Sequence, residues 1–349
     1  MCTRVAVTKR RTLVCLVSNR ACSNVNRNSC YIFKRQTLSS HKEDLVYFPN
    51  PTTAINAVAR SLELKPGDEV LSTNHIYGAL DKSWEYICNY KKANFVKANI
   101  PFPIDSKSQF MESFTSLITD KTKVIFLSHI TSMTAMRFPV EEVIKLAKQK
   151  NILSIIDGAH VPGHIKLDIK KLDPDIYTGA CHKWMCTPKG ISFLYAKKNI
   201  QDKIHPLVVS WGWNSDNPSK SLFLDWHEWQ GTRDMSAFLT IPKAIEFFCE
   251  AIHPLRLECR QITLEAFIKF QEVIGTDPLS TGIGWLGQMV SHPLPKDIPN
   301  DIKSILLDEY KIEIPIFEWK DQKLIRISIQ VYNDRKDLES LMSALESIK

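Results

Sequence analysis

Hydrophobic positions along the chain switch between two periods, and from Leu45 onward the switches mark out alternating elements. "DLVYFP" is a short apolar run that predicts a strand, and "TTAINAVARSLEL" carries apolar residues at helical spacing, closed by the turn "KPGDE". The alternation continues with "VLST" as a strand and "ALDKSWEYICNYKKA" as a helix, then "FVKANI" and "SQFMESFTSLI", then "KVIFLSHI" and "VEEVIKLAKQKN". "ILSIID" follows as an apolar strand ending in an acid. Strand and helix taking turns in this way predict an α/β fold with a mostly parallel sheet covered on both faces.

Beyond "GISFLYAKK" the texture changes. "SWGW" and "LDWHEWQGTRD" are rich in tryptophan and read as loop. From about Pro242 a long helical stretch is predicted, and the chain closes in a smaller α+β segment around "KLIRISIQVYN". The expected organisation is a basic leader at 1–42, a large α/β domain at 43–240 and a small C-terminal α+β domain at 241–349. A chain of 349 residues suits one large domain plus a smaller one, and no apolar run approaches the roughly 20 residues of a membrane-spanning helix.

Charge changes the picture only in the leader. Residues 1–42 hold nine Lys and Arg and no Asp or Glu, so 36 of the 45 basic residues face all 38 acidic ones in the body, a net of −2. The formal +7 therefore gives no basic face for nucleic acid. The acid-free leader is either a disordered tail or a mitochondrial transit signal. Four of the nine cysteines lie in it, and Cys88, Cys181, Cys186, Cys249 and Cys259 show no framework spacing, which fits free thiols in the cytoplasm, or in the mitochondrion if the leader is a targeting signal.

Open α/β sheets bind ligands beyond the carboxyl ends of their strands, and four such places carry chemistry. Thr52 and Thr53 begin a helix, either as an anion site or as an ordinary cap. Asp157 ends "ILSIID" with His160 three residues on, which suits a metal ligand, a general base or the partner of a protonated ring nitrogen. "GACHKWMCTPKG" places His182 and Lys183 at a strand end; its cysteines make a poor zinc pair, and Lys183 is either a solvated lysine or an imine-forming one. Arg326 lies inside the apolar run "KLIRISIQVYN", where a guanidinium needs a carboxylate partner. A phosphate site, an acid for a ring nitrogen, an imine-forming lysine and an arginine for a carboxylate are together what a pyridoxal phosphate enzyme acting on an amino acid requires.

The strings "PTTAINAVARSL", "DGAHVPG", "CHKW", "QGTRD" and "RISIQVYN", with 26 residues from Asp157 to Lys183, resemble the class V aminotransferase family of fold-type I pyridoxal phosphate enzymes, in particular its isopenicillin N epimerase-like branch. The resemblance implies a large mostly parallel-sheet domain and a smaller C-terminal α+β domain. It implies pyridoxal 5'-phosphate as cofactor, with Lys183 forming the imine, Asp157 pairing the pyridinium nitrogen and His160 bonding the phenolic oxygen. Thr52, Thr53 and His182 become phosphate donors, Tyr77 the ring-stacking aromatic with His75 as second candidate, and Ser132 a further cofactor-binding position. Thr232 is expected to reach the cofactor phosphate of a neighbouring subunit in a homodimer, and Arg326 to hold the substrate carboxylate.

The sequence departs from the family at two points. The leader shows no sign of the long N-terminal segment that helps close the substrate site, and Pro51 replaces a small residue, which a helix start tolerates. The expected activity is of the isopenicillin N epimerase type at the α-carbon of an amino acid. The alternatives are a cysteine desulfhydrase-type C–S β-lyase and a non-catalytic or truncated relative that keeps the fold. "IEIPIFEWKDQKLIR" lacks a cysteine before Arg326, from which a cysteine desulfurase is expected to be excluded.

Overall fold

The structure, a computed structural model, describes residues 42–348. The leader, apart from Lys42, lies outside the described residues, and so do the targeting alternatives that rest on it. Seven strands form one sheet in the order β1-β7-β6-β5-β4-β2-β3, with β1 Leu45–Phe48, β2 Glu69–Thr73, β3 Asn94–Ala98, β4 Thr122–Ser128, β5 Leu153–Asp157, β6 Ile176–Ala180 and β7 Ser192–Ala196. β2 pairs in parallel with β3 and β4, and β4 with β5, while β7 runs antiparallel to both β1 and β6. Three antiparallel strands, β8 Met289–Pro293, β9 Ile316–Trp319 and β10 Gln322–Ser328, make a second sheet in the order β8-β10-β9. A large, mostly parallel sheet and a smaller C-terminal α+β part are therefore both present.

Local chemistry explains the helices. α1, Pro51–Ser61, starts with proline, which brings no amide hydrogen where none is needed, and is capped by the side chain of Asn50. α2 is Gly78–Lys91 and α3 is Lys107–Thr115, the latter capped by Ser106. α4, Val140–Gln149, buries Val140, Val143, Ile144 and Ala147 on one stripe, with Glu141 and Glu142 in its first turn and Lys148 in its last, as the helix dipole favours.

The predicted long helix after Pro242 is broken in the structure. A helix at Ile241–Phe247 widens into a π turn at Phe248–Ile252, and α5 begins only at Arg256 and runs to Ile274. Pro254 is the physical reason, because its ring displaces the carbonyl four residues back and it has no amide hydrogen to give. The tryptophan-rich stretch also differs from its loop reading: Leu222–Glu228 is helical, capped by Ser221, and buries Phe223 and His227.

The described chain divides into two compact units, 42–62 with Val161–His253, and Glu63–His160 with Pro254 onward. In the second unit, α5 and α6 (Arg335–Ile348) cover the three-stranded sheet, packing Ile262, Ala266, Phe270, Leu338, Leu341 and Leu345 with Val290 and Ile325.

Burial pushes down the pKa values of three of the enclosed imidazoles, to about 3 for His75 and about 4 for His227 and His292. The unfolded chain protonates these groups near the ordinary value of 6.5, well before the folded one does. Their stabilising contribution is thus complete above that pH and is lost as pH falls towards 4, by about 1.4 kcal/mol per unit for each imidazole. The urea midpoint is expected to fall steeply between pH 7 and pH 5; an unchanged midpoint would contradict neutral burial.

Candidate active site

In the first unit the register of β7 aligns two strand ends. Ser192 lies opposite both Phe48 of β1 and Ala180 of β6, and its Oγ donates to the Phe48 carbonyl at 2.9 Å. β1 and β6 both run against β7, so the chain leaves both strands at the same edge of the sheet. Thr52 and Thr53 come directly after β1; His182 and Lys183 come directly after β6.

The two threonines are not equivalent. Thr53 N–H donates to Asn50 Oδ1 at 2.8 Å and its hydroxyl bonds the same oxygen at 3.0 Å, so the cap consumes both donors. Thr52 gives its carbonyl to Asn56 Nδ2, while no protein acceptor among the described residues takes its N–H or hydroxyl. An uncommitted amide at the positive end of an 11-residue helix, with a hydroxyl beside it, fits a phosphate.

His182 is half-buried, and its Nδ1 stands 2.8 Å from the Ile191 carbonyl, which can only accept. Nδ1 therefore carries a proton, and in the neutral ring Nε2 is a bare lone pair. Burial lowers its pKa, the Ile191 carbonyl opposes this, and the charges of Lys183 and Lys189 lower it further. Donation to a phosphate from Nε2 accordingly requires uptake of a proton.

The loop carrying Lys183 is fixed from beneath. A Cβ on Gly163, whose φ is +83°, would lie 2.7 Å from the backbone carbon and oxygen of Trp184, and one on Gly179 would lie 2.7 Å from Phe193 and Pro162. His164 stacks on Trp184 with ring centres 4.0 Å apart. The "VPGH" directly after the acid motif thus seats the residue next to Lys183. The lysine itself is exposed, as is Lys189. Cys181 is buried and its thiol is pushed up to about 12, which leaves it a packing residue. Thr232 is exposed and comes after Gly231, whose φ is +93°.

In the second unit, β2, β4 and β5 run parallel, and the pairing of Ser128 with Asp157 sets their carboxyl ends level. Asp157 is buried and its Oδ1 accepts from Ala159 N–H at 3.0 Å; His160 is buried three residues on. After β2, His75 and Tyr77 separate sharply. His75 is enclosed by Phe102, Phe138 and Trp319 at ring-centre distances of 4.8, 5.4 and 5.0 Å, and bonds Thr134 through Nδ1. Tyr77, at the start of α2, is 45% exposed and is the accessible one of the two aromatic candidates.

Ser132 lies in the turn after β4 and meets Arg326. The Arg326 Nη1 donates to the Ser132 carbonyl at 2.6 Å and stands 3.5 Å from its hydroxyl. The guanidinium also lies 5.0 Å over the Phe317 ring, and no carboxylate among the described residues pairs with it. Its Nε has no partner, and burial lowers its pKa to about 10. With Nη1 committed, the edge left for a carboxylate is the one formed by Nε and Nη2. Sequence reasoning missed Asn50, Gly163 and Ser291; the Pro-Gly pair one residue after "DGAH" is the available signal for Gly163.

The chain is similar to isopenicillin N epimerase of Amycolatopsis lactamdurans, 30% identical over 89% of this chain and 82% of that one. It is also similar to an L-cysteine desulfhydrase of Arabidopsis thaliana, 26% identical over 86% of this chain and 73% of the relative. Among solved structures, a cysteine desulfurase of Thermococcus onnurineus superposes with a TM-score of 0.77 at 17% identity, covering 95% of this chain and 84% of that one. This likeness corrects the expected exclusion of the desulfurases, because a cysteine desulfurase shares this fold over nearly the whole chain. The loop before Arg326, on which the exclusion rested, does not set the chain apart from that fold. Residues 35–341 match the family model described as aminotransferase class-V, and the chain belongs to that family, with the pyridoxal phosphate-binding fold of type I.

Proposed function

We propose that the protein is a pyridoxal phosphate-dependent lyase that breaks the C–S bond of a cysteine-like amino acid by β-elimination. The observation that carries an amino-acid substrate is Arg326, a buried guanidinium tethered to a neutral carbonyl and offering its Nε edge with no protein carboxylate against it. The sulfur leaving group is supported by the likeness to the Arabidopsis desulfhydrase. Elimination also asks less of the chain than epimerisation, since the proton removed from Cα need not return on the opposite face.

The residues present fit the cofactor. Thr52 offers a free amide and hydroxyl for its phosphate, and Asp157 a buried carboxylate for its ring nitrogen. When bound, the cofactor supplies an electron sink for charge developing at the substrate Cα. Lys183 Nζ would hold the cofactor and serve as the base for the Cα proton, and Asp157 would keep a proton on its ring nitrogen. His160 would hold the cofactor's phenolic oxygen and Tyr77 its ring, and Arg326 would orient the substrate through its carboxylate. Thr232, exposed after a glycine turn, would reach the phosphate of a second copy in a homodimer.

Incubation with L-cysteine tests the reading. Sulfide, pyruvate and ammonia in equal amounts are expected. Alanine with sulfur left on the protein would identify desulfurase-type chemistry instead, and a substrate recovered with inverted Cα would identify the epimerase type.

Arg326→Ala is expected to raise KM for L-cysteine by about 10- to 100-fold, the loss of a charge-assisted pair of roughly 1.5–3 kcal/mol. The dissociation constant of cysteamine, which has no carboxylate, is expected to stay unchanged when read from the cofactor's absorbance. An equal loss for both compounds would make Arg326 a structural residue.

A further inference from the structure

Arg326 has a neighbour that the reaction does not account for. On β10 it pairs in register with Ser291 of β8, a serine that is only 4% exposed. Ser291 Oγ donates to the Met133 carbonyl at 2.6 Å, and Arg326 Nη1 donates to the adjacent Ser132 carbonyl at the same distance. Two cross-strand neighbours thus hold two consecutive carbonyls of one turn.

That turn is otherwise closed on itself. Thr131 N–H donates to the Met136 carbonyl at 2.9 Å, Met136 N–H donates to Thr131 Oγ1 at 2.8 Å, and the hydroxyls of Thr131 and Thr134 bond at 2.7 Å. Thr134 continues to His75 Nδ1 at 3.0 Å, and that imidazole is locked among three aromatic rings. Ala135 sits at φ +56°, an unusual conformation for a residue with a side chain, which is consistent with a turn held in place by its surroundings.

We infer that Ser291 is a positioning residue for substrate recognition: by holding the Met133 carbonyl it fixes the Ser132 carbonyl, which in turn sets which edge of Arg326 meets the substrate carboxylate. This rests on the reading of Arg326 as the carboxylate anchor. Without the Ser291 hydroxyl, the Met133 carbonyl loses its side-chain donor, and the Ser132–Met133 segment, which none of the bonds within the turn hold, is free to shift. The Ser132 carbonyl then leaves Nη1, and the guanidinium gains a second orientation in which its Nε edge no longer faces the substrate. A carboxylate is recognised more weakly as a result, while groups that handle the amine and the Cα proton are untouched.

Ser291→Val and Ser291→Thr differ by one hydroxyl at nearly constant shape, so their comparison isolates the hydrogen bond from packing. In the holoenzyme, Ser291→Val is expected to raise KM for L-cysteine about tenfold, or roughly 1.4 kcal/mol. Its kcat is expected to stay within about twofold and its cysteamine dissociation constant to remain that of the parent protein. Ser291→Thr is expected to restore KM. The inference is overturned if the valine and threonine variants share one KM, or if cysteamine and L-cysteine weaken together. Arg326→Ala separates the two layers of argument: if it leaves KM for L-cysteine unchanged, the carboxylate-anchor reading itself has failed. If it raises KM and Ser291→Val does not, only the role of Ser291 has failed.

Discussion

Lys183→Ala is expected to lower turnover of L-cysteine by about 10³-fold or more, because the group that removes the Cα proton is lost and general-base catalysis of this kind contributes roughly 10²–10⁴-fold. Borohydride treatment of the parent holoprotein, followed by peptide mapping, is expected to place a pyridoxyl label on Lys183 alone. The control is Lys189, six residues on in the same loop, exposed and set between Pro188 and Gly190, whose φ of +95° makes a tight turn. Lys189→Ala is expected to keep both label and turnover. Position decides between the two lysines: Lys183 comes three residues after the end of β6, at the edge where α1 also begins, whereas Lys189 lies on the return towards β7. A label on Lys189, or an unchanged visible spectrum in Lys183→Ala, would remove the basis for every role assigned around that nitrogen.

Much of this was legible from periodicity. The strands up to β5 and the helices α1 to α4 match runs whose apolar spacing is unambiguous, and Asp157 ends a strand whose last four residues are all buried. The features that were not legible depended on partners distant in sequence. His75 and Tyr77 are two residues apart, and the sequence offers His75 as a second candidate behind Tyr77 for the aromatic contact; rings from Phe102, Phe138 and Trp319 enclose His75. Thr52 and Thr53 looked like a matched pair of phosphate donors, and only the side-chain position of Asn50 shows that Thr53 is committed to the cap. Arg326 was expected to need a carboxylate, and the structure holds it with a carbonyl 194 residues away. The break before α5 comes from Pro254, which the apolar spacing on either side of it does not register.

Gly163→Ala is expected to be strongly destabilising, because a positive φ and a backbone clash coincide there. Two costs add. At φ +83° an L-residue with a Cβ is strained by about 1–2 kcal/mol, and overpacking a closed site costs about 1–3 kcal/mol more. Here the new Cβ would meet the backbone carbon and oxygen of Trp184 at 2.7 Å and Met185 Cγ at 2.9 Å, so a main chain has to move rather than a flexible side-chain tip. Gly67 supplies the comparison, with φ +85° and nothing within 4 Å of its imagined Cβ. Gly67→Ala should therefore show the conformational cost alone, about 1–2 kcal/mol, and Gly163→Ala about 2–5 kcal/mol. Urea midpoints of the two variants separate packing from backbone strain. The functional consequence lies in the group displaced, since Trp184 is bonded directly to Lys183 and a shift of about 1 Å in a reacting group can cost roughly 10²-fold in rate. Molecules of Gly163→Ala that remain folded are expected to lose kcat for L-cysteine by about that factor, whereas Gly67→Ala keeps it. Equal destabilisation of the two variants, with equal kcat, would show that the contact between Gly163 and Trp184 does not seat the lysine.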